Sequence, residues 1–347
     1  MEEIMFNFSE KKFDVISCGE IIMRLSPAIG KILIQDGPLD RNLGGAELNV
    51  VTGISTLGGK TSFLSKIPDH DLGMYAKRCI DLSGINSEYL VYDSSKNKRL
   101  ALYYYEYGAS PRKPSVVYDR NDSSFQFLHS NEINSEVYSS TKVFHTSGIS
   151  LGLCENSKTL VKDLIKNFKK GGALISFDVN FRRNLWGDEE NARKEIVTIL
   201  PEIDILFASE ETLRKMFKQT GTMEEIMKNF AKDNNISLLI STQRTVNSPK
   251  SHNFTSIIYS AIEDKFYSEK SYDNIEIVDR IGSGDAYVAG ALYGLTTFDC
   301  PLKALKYGNA LGSLKNTLLG DVVAFSKNTV DSIIKDHEEG SSSEMNR

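Results

Sequence analysis

Residues 278–290 read VDRIGSGDAYVAG. Gly282, Ser283 and Gly284 lead directly into Asp285, and a small-residue helical pattern follows. The glycines permit backbone geometry closed to other residues. The amides of 282–285 would then lie at a helix N-terminus, where free N–H groups and the helix dipole favour an anion. Asp285 has two readings. One is an N-cap. The other is a proton acceptor for an attacking hydroxyl, with the loop amides stabilising charge on a transferring phosphoryl group.

Two other glycine patterns carry no such chemistry. Gly58-Gly59-Lys60-Thr61 resembles the end of a P-loop, but the first glycine of that pattern is replaced by Ile54. The segment also runs from helix to strand, the reverse of a P-loop, so it reads as a helix C-cap. GSGDAY does not match G-x-G-x-x-G, because Tyr287 stands at the third glycine.

The elements that would position Asp285 alternate in type. Phe13–Cys18, Thr61–Ile67, Val143–Ile149, 173–179, 203–208 and 236–240 read as buried strands. Ala46–Leu57, Leu72–Leu82 and the stripe Leu160, Val161, Leu164, Ile165, Phe168 read as helices, and Val288, Leu292 and Leu295 give the helix after Asp285 a core face. This alternation predicts an α/β fold with a doubly wound, mainly parallel sheet flanked by helices. Residues 19–40 and 88–120 break the rhythm with Ile32–Ile34, Leu100–Tyr107 and Val116–Tyr118. They predict inserted antiparallel strands forming a small β-sheet lid, which could cover a cleft or pair with a second subunit in a homodimer.

The chain has 347 residues and a net charge of −5, from 41 basic and 46 acidic residues, with no basic block. That disfavours nucleic acid or a membrane surface as partner and leaves room for a small anion. Cys18, Cys79, Cys154 and Cys300 are far apart and read as reduced thiols. The acidic N-terminus lacks an apolar run, and no segment reaches transmembrane length, so a cytoplasmic protein is expected. Residues 338–347 are polar and Ser-rich and predict a disordered tail after a single domain over 1–337.

GGAELN at 44–49 and DRIGSGD at 279–285 resemble the two signature regions of the ribokinase-like (PfkB) carbohydrate kinases. The first region holds the sugar in that family, and the second forms the anion hole and carries the base. The usual second signature has threonine where this chain has Arg280, and alanine where it has Ser283; the Gly-x-Gly-Asp core is intact. SFDVNFRRNLW at 176–186, VYDRNDSS at 117–124 and ISTQRTVNS at 240–248 look like the 2-keto-3-deoxygluconate kinases in particular.

The resemblance implies ATP with magnesium as phosphoryl donor and a sugar acid as acceptor. It implies Asp285 as catalytic base, with Gly282, Ser283 and Gly284 as anion hole. Gly44, Gly45, Ala46, Asn49, Tyr103, Tyr118, Arg120, Arg182 and Asp321 would hold the sugar. Asn180, Arg182, Thr242, Arg244 and Asn309 would hold the nucleotide. Arginine suits a planar carboxylate, and Arg120 and Arg182 follow strand-like runs, where α/β ligand sites form. A salt bridge of Arg120 to its neighbours Asp119 or Asp122 is the competing reading. Many relatives carry N-x-x-E where this chain has Ser209-Glu210-Glu211-Thr212, so no metal ligand is assigned; Glu210 and Glu211 also fit ordinary first-turn helix acids. Fructose, ribose or 2-keto-3-deoxygalactonate are alternative acceptors, and a non-catalytic sensor is the alternative of another class.

Overall fold

The fold is that of a computed structural model, which describes residues 5–340. From the N-terminus run β1 (Phe13–Cys18), β2 (Ile22–Ser26), β3 (Asp40–Gly44), α1 (Ala46–Thr56), β4 (Thr61–Pro68), α2 (Asp71–Leu82) and β5 (Leu90–Asp93). Next come β6 (Ala101–Glu106), β7 (Ser115–Asp119), β8 (Thr141–Ser147), α3 (Gly148–Gly152), α4 (Glu155–Lys170) and β9 (Leu174–Asp178). They are followed by α5 (Arg183–Trp186), α6 (Glu189–Ile196), β10 (Ile205–Phe207), α7 (Met223–Asp233), β11 (Leu238–Ser248) and β12 (Ser251–Ser260). The chain closes with β13 (Lys265–Ser268), β14 (Tyr272–Glu276), α8 (Ser283–Phe298), α9 (Pro301–Lys315) and α10 (Lys327–Glu339).

Among the described residues, ten strands form the main sheet, in the order β13-β12-β11-β10-β9-β8-β1-β4-β5 with β14 paired to β12. From β5 to β11 every pair is parallel; β12, β13 and β14 add an antiparallel edge. Parallel strands need both faces covered, and the strand sequences comply: β9 reads LISFD and β10 reads ILF, without alternation. Helix α4 buries the expected stripe, with Phe168 stacked on Phe144 of β8 at 4.1 Å between ring centroids. Helix α8 is buried from Ala286 to Thr296, because α1 and α9 flank it as well as the sheet. The short strand expected to run to Ile149 stops at Ser147, whose side chain caps α3.

The small sheet has the order β3-β2-β6-β7. Two expectations about it are corrected. It is not wholly antiparallel: β2 and β6 pair in parallel, with Ile22 opposite Ala101, because the chain between them makes a crossover through α1, β4, α2 and β5. Ile32–Ile34 is not a strand; the pairing strand is Asp40–Gly44. Prolines at 27 and 38 and glycines at 30 and 37 break the segment into turns, leaving Ile34 91% exposed. Helix α10 reaches Glu339, past the expected start of the tail at 338; residues 341–347 of that tail lie outside the described residues.

All four cysteines are free; Cys18 and Cys300 are buried and Cys79 and Cys154 half-buried, with Cys154 capping α4 through its sulfur. Among the described residues no helix is long and apolar enough to cross a membrane.

Candidate active site

The chain leaves β1 towards β4 on one side and towards β8 on the other, so the order of the sheet reverses between β1 and β8. Ligands of open α/β sheets bind beyond the carboxyl ends of the strands near such a reversal. Two cavities open there. The larger, about 1010 Å³, lies over β9 to β11 and includes Phe207, Thr242, Arg244 and Asn316 in its wall. The smaller, about 490 Å³, lies under the small sheet, between Tyr103, Tyr118 and Arg120 on one side and Gly45, Ala46 and Asn49 on the other. Asp178, Asn180, Arg182, Arg244, Ser283 and Gly284 line both, so the cavities meet at the start of α8.

The loop before α8 has two unlike glycines. Gly282 sits at φ +81°, and a Cβ there would lie 1.8 Å from the carbonyl oxygen of Asp321. The fold itself requires that glycine. Gly284 has nothing within 4 Å of a Cβ position; its missing side chain leaves room on the cavity side. Gly282 is the N-cap of α8 and no side chain caps the helix; the Ser283 amide donates to the Arg280 carbonyl at 3.3 Å, and the amides of Gly284 and Asp285 are left for a ligand. Asp285 is the third residue of α8, which overturns its reading as the N-cap. Its carboxylate instead accepts a hydrogen bond from Asn49 Nδ2 at 2.7 Å. Burial, with a smaller push from Asp321, lifts its pKa, while Asn49, Arg182 and Lys315 pull it down; the balance is upward.

Three further acids stand around Asp285, none singled out from sequence. Asp178 ends β9, accepts from the Asn180 amide at 3.0 Å, and is pushed up to about 7 by burial and then by the charge of Asp285, against the pull of Arg182. Glu47 is buried in the first turn of α1, where Ser147 and Ser150 donate to it at 2.6 and 2.7 Å; burial raises its pKa. Glu20, just after β1, accepts from Ser123. An acid closing a buried strand, as Asp178 does, is a signal the sequence contains. Glu47 resembles an ordinary first-turn acid until Ser147 and Ser150 are seen beside it.

Arg120 donates to Glu20 Oε2 from Nε at 2.8 Å and Nη2 at 2.6 Å. Neither expected neighbour is its partner; Asp119 pairs with Arg99. Among the described residues Arg182 has no carboxylate hydrogen-bonded or ion-paired to it; its Nη1 donates to the carbonyl of Phe181, at 3.1 Å. Tyr103 donates to Asp321 Oδ2 at 2.6 Å, and its ring lies 5.8 Å from that of Tyr118. Asp321 also accepts from Arg24 Nη1 at 2.8 Å, and the same nitrogen lies 2.7 Å from Asp279 Oδ2. Arg24 belongs to β2, is wholly buried, and packs over the ring of Tyr105 at 4.2 Å. The guanidinium thus pins the small sheet to the segment before α8 and the segment after α9. Buried Lys315 adds a second anchor, donating to the carbonyls of Asp279 and Leu318.

Two of the expected ligand residues, Gly44 and Asn309, line neither cavity. Gly44 packs behind the wall, where a Cβ would lie 2.5 Å from Asp321 Oδ2. Asn309 is buried on the far side of α9 and donates to Glu269 at 2.6 Å; Asn316, just after α9, faces the larger cavity instead. Thr242 lines the larger cavity, Gly45, Ala46 and Asn49 line the smaller, and Asn180 and Arg244 line both.

Glu210 and Glu211 are occupied by Arg214 and Lys215 one turn on, at 2.7 and 2.6 Å. Among the described residues no group of three or more His, Cys, Asp or Glu could hold a metal ion.

A family model described as pfkB family carbohydrate kinase matches residues 12–324. The chain is 28% identical over 327 residues to a 2-dehydro-3-deoxygalactonokinase of Haloferax volcanii, covering 94% of this chain and 98% of the relative. It is 27% identical over 318 residues to probable fructokinase-3 of Arabidopsis thaliana, covering 89% and 88%. The crystal structure of a 2-dehydro-3-deoxygluconokinase from Thermotoga maritima superposes with a TM-score of 0.87 at 27% identity, covering 93% of this chain and 98% of that one.

Proposed function

The chain belongs to the pfkB family of carbohydrate kinases, and from that premise we propose that it phosphorylates a hydroxyl of 2-keto-3-deoxygluconate with ATP. The observation that carries this reading is the junction of the two cavities, where Asp285 and the amides of Gly284 and Asp285 stand beside an Arg182 that, among the described residues, has no carboxylate partner. ATP would occupy the larger cavity with its phosphates directed at the junction. The sugar acid would occupy the smaller, its hydroxyls near Asn49 and Tyr118 and its carboxylate near Arg182.

Asp285 Oδ2 is held by Asn49, which leaves Oδ1 to take the hydroxyl proton. The acceptor oxygen forms the new P–O bond as the bond from the γ-phosphorus to the β–γ bridging oxygen breaks, and ADP leaves with that oxygen. The amides of Gly284 and Asp285 stabilise the charge in transit, while the small sheet keeps out water that would otherwise hydrolyse ATP. Magnesium supplies further neutralisation when it arrives with the nucleotide.

A neutral acceptor such as fructose is the second reading. Glu20 favours it, because its pairing with Arg120 removes one of the two guanidiniums expected for a carboxylate. ADP release should be measured with 2-keto-3-deoxygluconate, its galacto epimer, fructose and ribose. Preference for either keto-deoxy acid supports an acid acceptor, and the better epimer names it. Turnover of fructose with none on the acids overturns it.

Free cysteines suit a reducing, cytoplasmic setting. The exposed Val116, Val117 and Tyr118 of β7 are the proposed pairing surface of a homodimer, to be tested by sedimentation velocity.

A further inference from the structure

Arg280 stands where the family signature usually has threonine, two residues before Gly282. Among the described residues its guanidinium has neither an ion pair nor a hydrogen bond, and the same holds for Arg244. Arg244 rises from the part of β11 that extends past the parallel strands, opposite Phe254 of β12. The two side chains approach each other where the cavities meet: both line the smaller one, and Arg244 also lines the larger. Their fields overlap on Arg244, held below the ordinary guanidinium value by burial and then by Arg280. They overlap again on buried His252, whose pKa burial and both arginines hold below the ordinary imidazole value.

Nearby acids are otherwise engaged. Asp279, next to Arg280 in sequence, is paired with Arg24; Asp321 is held by Arg24 and Tyr103; Glu20 is held by Arg120. Two convergent guanidiniums without a counter-charge repel each other, and their planar forks match the oxygens of a phosphate group.

We infer that Arg244 and Arg280 form a clamp for the γ-phosphoryl group of the nucleotide, holding it beside the amides of Gly284 and Asp285. This rests on the kinase reading and deepens it. An acceptor carboxylate is the other anion that could fill the clamp. The γ-phosphate is favoured because Arg244 reaches into the nucleotide-side cavity and Arg280 adjoins the amide loop. The two arginines take no part in proton transfer and lower only the cost of gathering negative charge.

Binding of ATP and of ADP, measured by calorimetry without any sugar, tests this for the wild-type chain, Arg280→Thr, Arg280→Lys and Arg244→Gln. Loss of charge-assisted hydrogen bonds to the γ-phosphate should weaken ATP binding roughly tenfold or more in Arg280→Thr and Arg244→Gln. ADP affinity should stay unchanged, and Arg280→Lys should recover part of the loss. Equal weakening of ATP and ADP, or no change in either, overturns the clamp. Steady-state rates with an acid and a neutral acceptor form the second arm. An equal fall in kcat/KM on both is expected, whereas a fall confined to the acid makes the pair a carboxylate site and also overturns the inference. The binding arm needs no acceptor, so it reports even where 2-keto-3-deoxygluconate proves not to be the substrate.

Discussion

Arg24→Met tests whether one buried guanidinium ties the small sheet to the phosphate loop. Arg24 is 0% exposed and Asp321 2%, and a single nitrogen bridges Asp279 and Asp321 at 2.7 and 2.8 Å. Methionine keeps the bulk but leaves two buried carboxylates without their cation. Breaking a buried ion pair from one side costs about 3–5 kcal/mol. At roughly 2.1 cal/mol/K per residue, unfolding a chain of this length has an entropy near ~0.7 kcal/mol/K, so Tm should fall by about 4–7 °C. The pH dependence gives a sharper check. Burial already holds Asp321 above the ordinary carboxylate value, against the pull of Arg24 and Tyr103. Without Arg24 its folded pKa rises further, so the variant takes up a proton on folding and gains on the wild type as pH falls. Melting followed by circular dichroism at pH 7.5 and pH 5.5 should show the Tm gap narrowing at the lower pH. Arg24→Met/Asp321→Asn should recover part of the loss. A gap below about 1 °C, well under the cost of an uncompensated buried charge, or one that does not change with pH, would refute the reasoning.

Asp285→Asn should lower kcat by at least about 100-fold, the scale of losing a general base, with ATP affinity retained in calorimetry; near-normal turnover would remove Asp285 from the role. Asp178, held at about 7, should ionise as pH rises through neutrality and add negative charge beside Arg182. KM for ATP should therefore climb above that pH in the wild type and stay flat in Asp178→Asn; matching profiles would count against it. Gly282→Ala should unfold the loop, because its Cβ would strike the Asp321 carbonyl. Gly284→Ala should keep the wild-type Tm and lose turnover, since only a ligand contests that space; a matching loss of Tm would show that the space belongs to the fold.

Features set by local sequence were legible before the fold. The parallel strands announce themselves as unbroken apolar runs, and GSGD and GGAELN carry their glycines and Asp285 within a few residues. Relations fixed by distant packing were not. Arg24 meets Asp321 across 297 positions and Arg120 meets Glu20 across 100. Nothing near VYDR predicts that Glu20, rather than Asp119 or Asp122, neutralises Arg120. The partner of Asn309 was hidden for a related reason: it donates to Glu269, 40 positions away. Ile32–Ile34 has strand residues but no strand to pair with.

The parallel pairing of β2 with β6 bears on the order in which the binding surfaces come into being. Ile22 cannot meet Ala101 until the intervening α1, β4, α2 and β5 have packed and brought the ends of that long segment together. Closing it earlier would spend loop entropy with no contacts in return. The larger cavity, proposed above for the nucleotide, rests on β9 to β12 and the start of α8 and needs no part of the small sheet. A chain emerging from the unfolded state should therefore acquire nucleotide affinity before sugar affinity, and the Arg24 bridge to Asp279 and Asp321 marks the moment at which the second is gained.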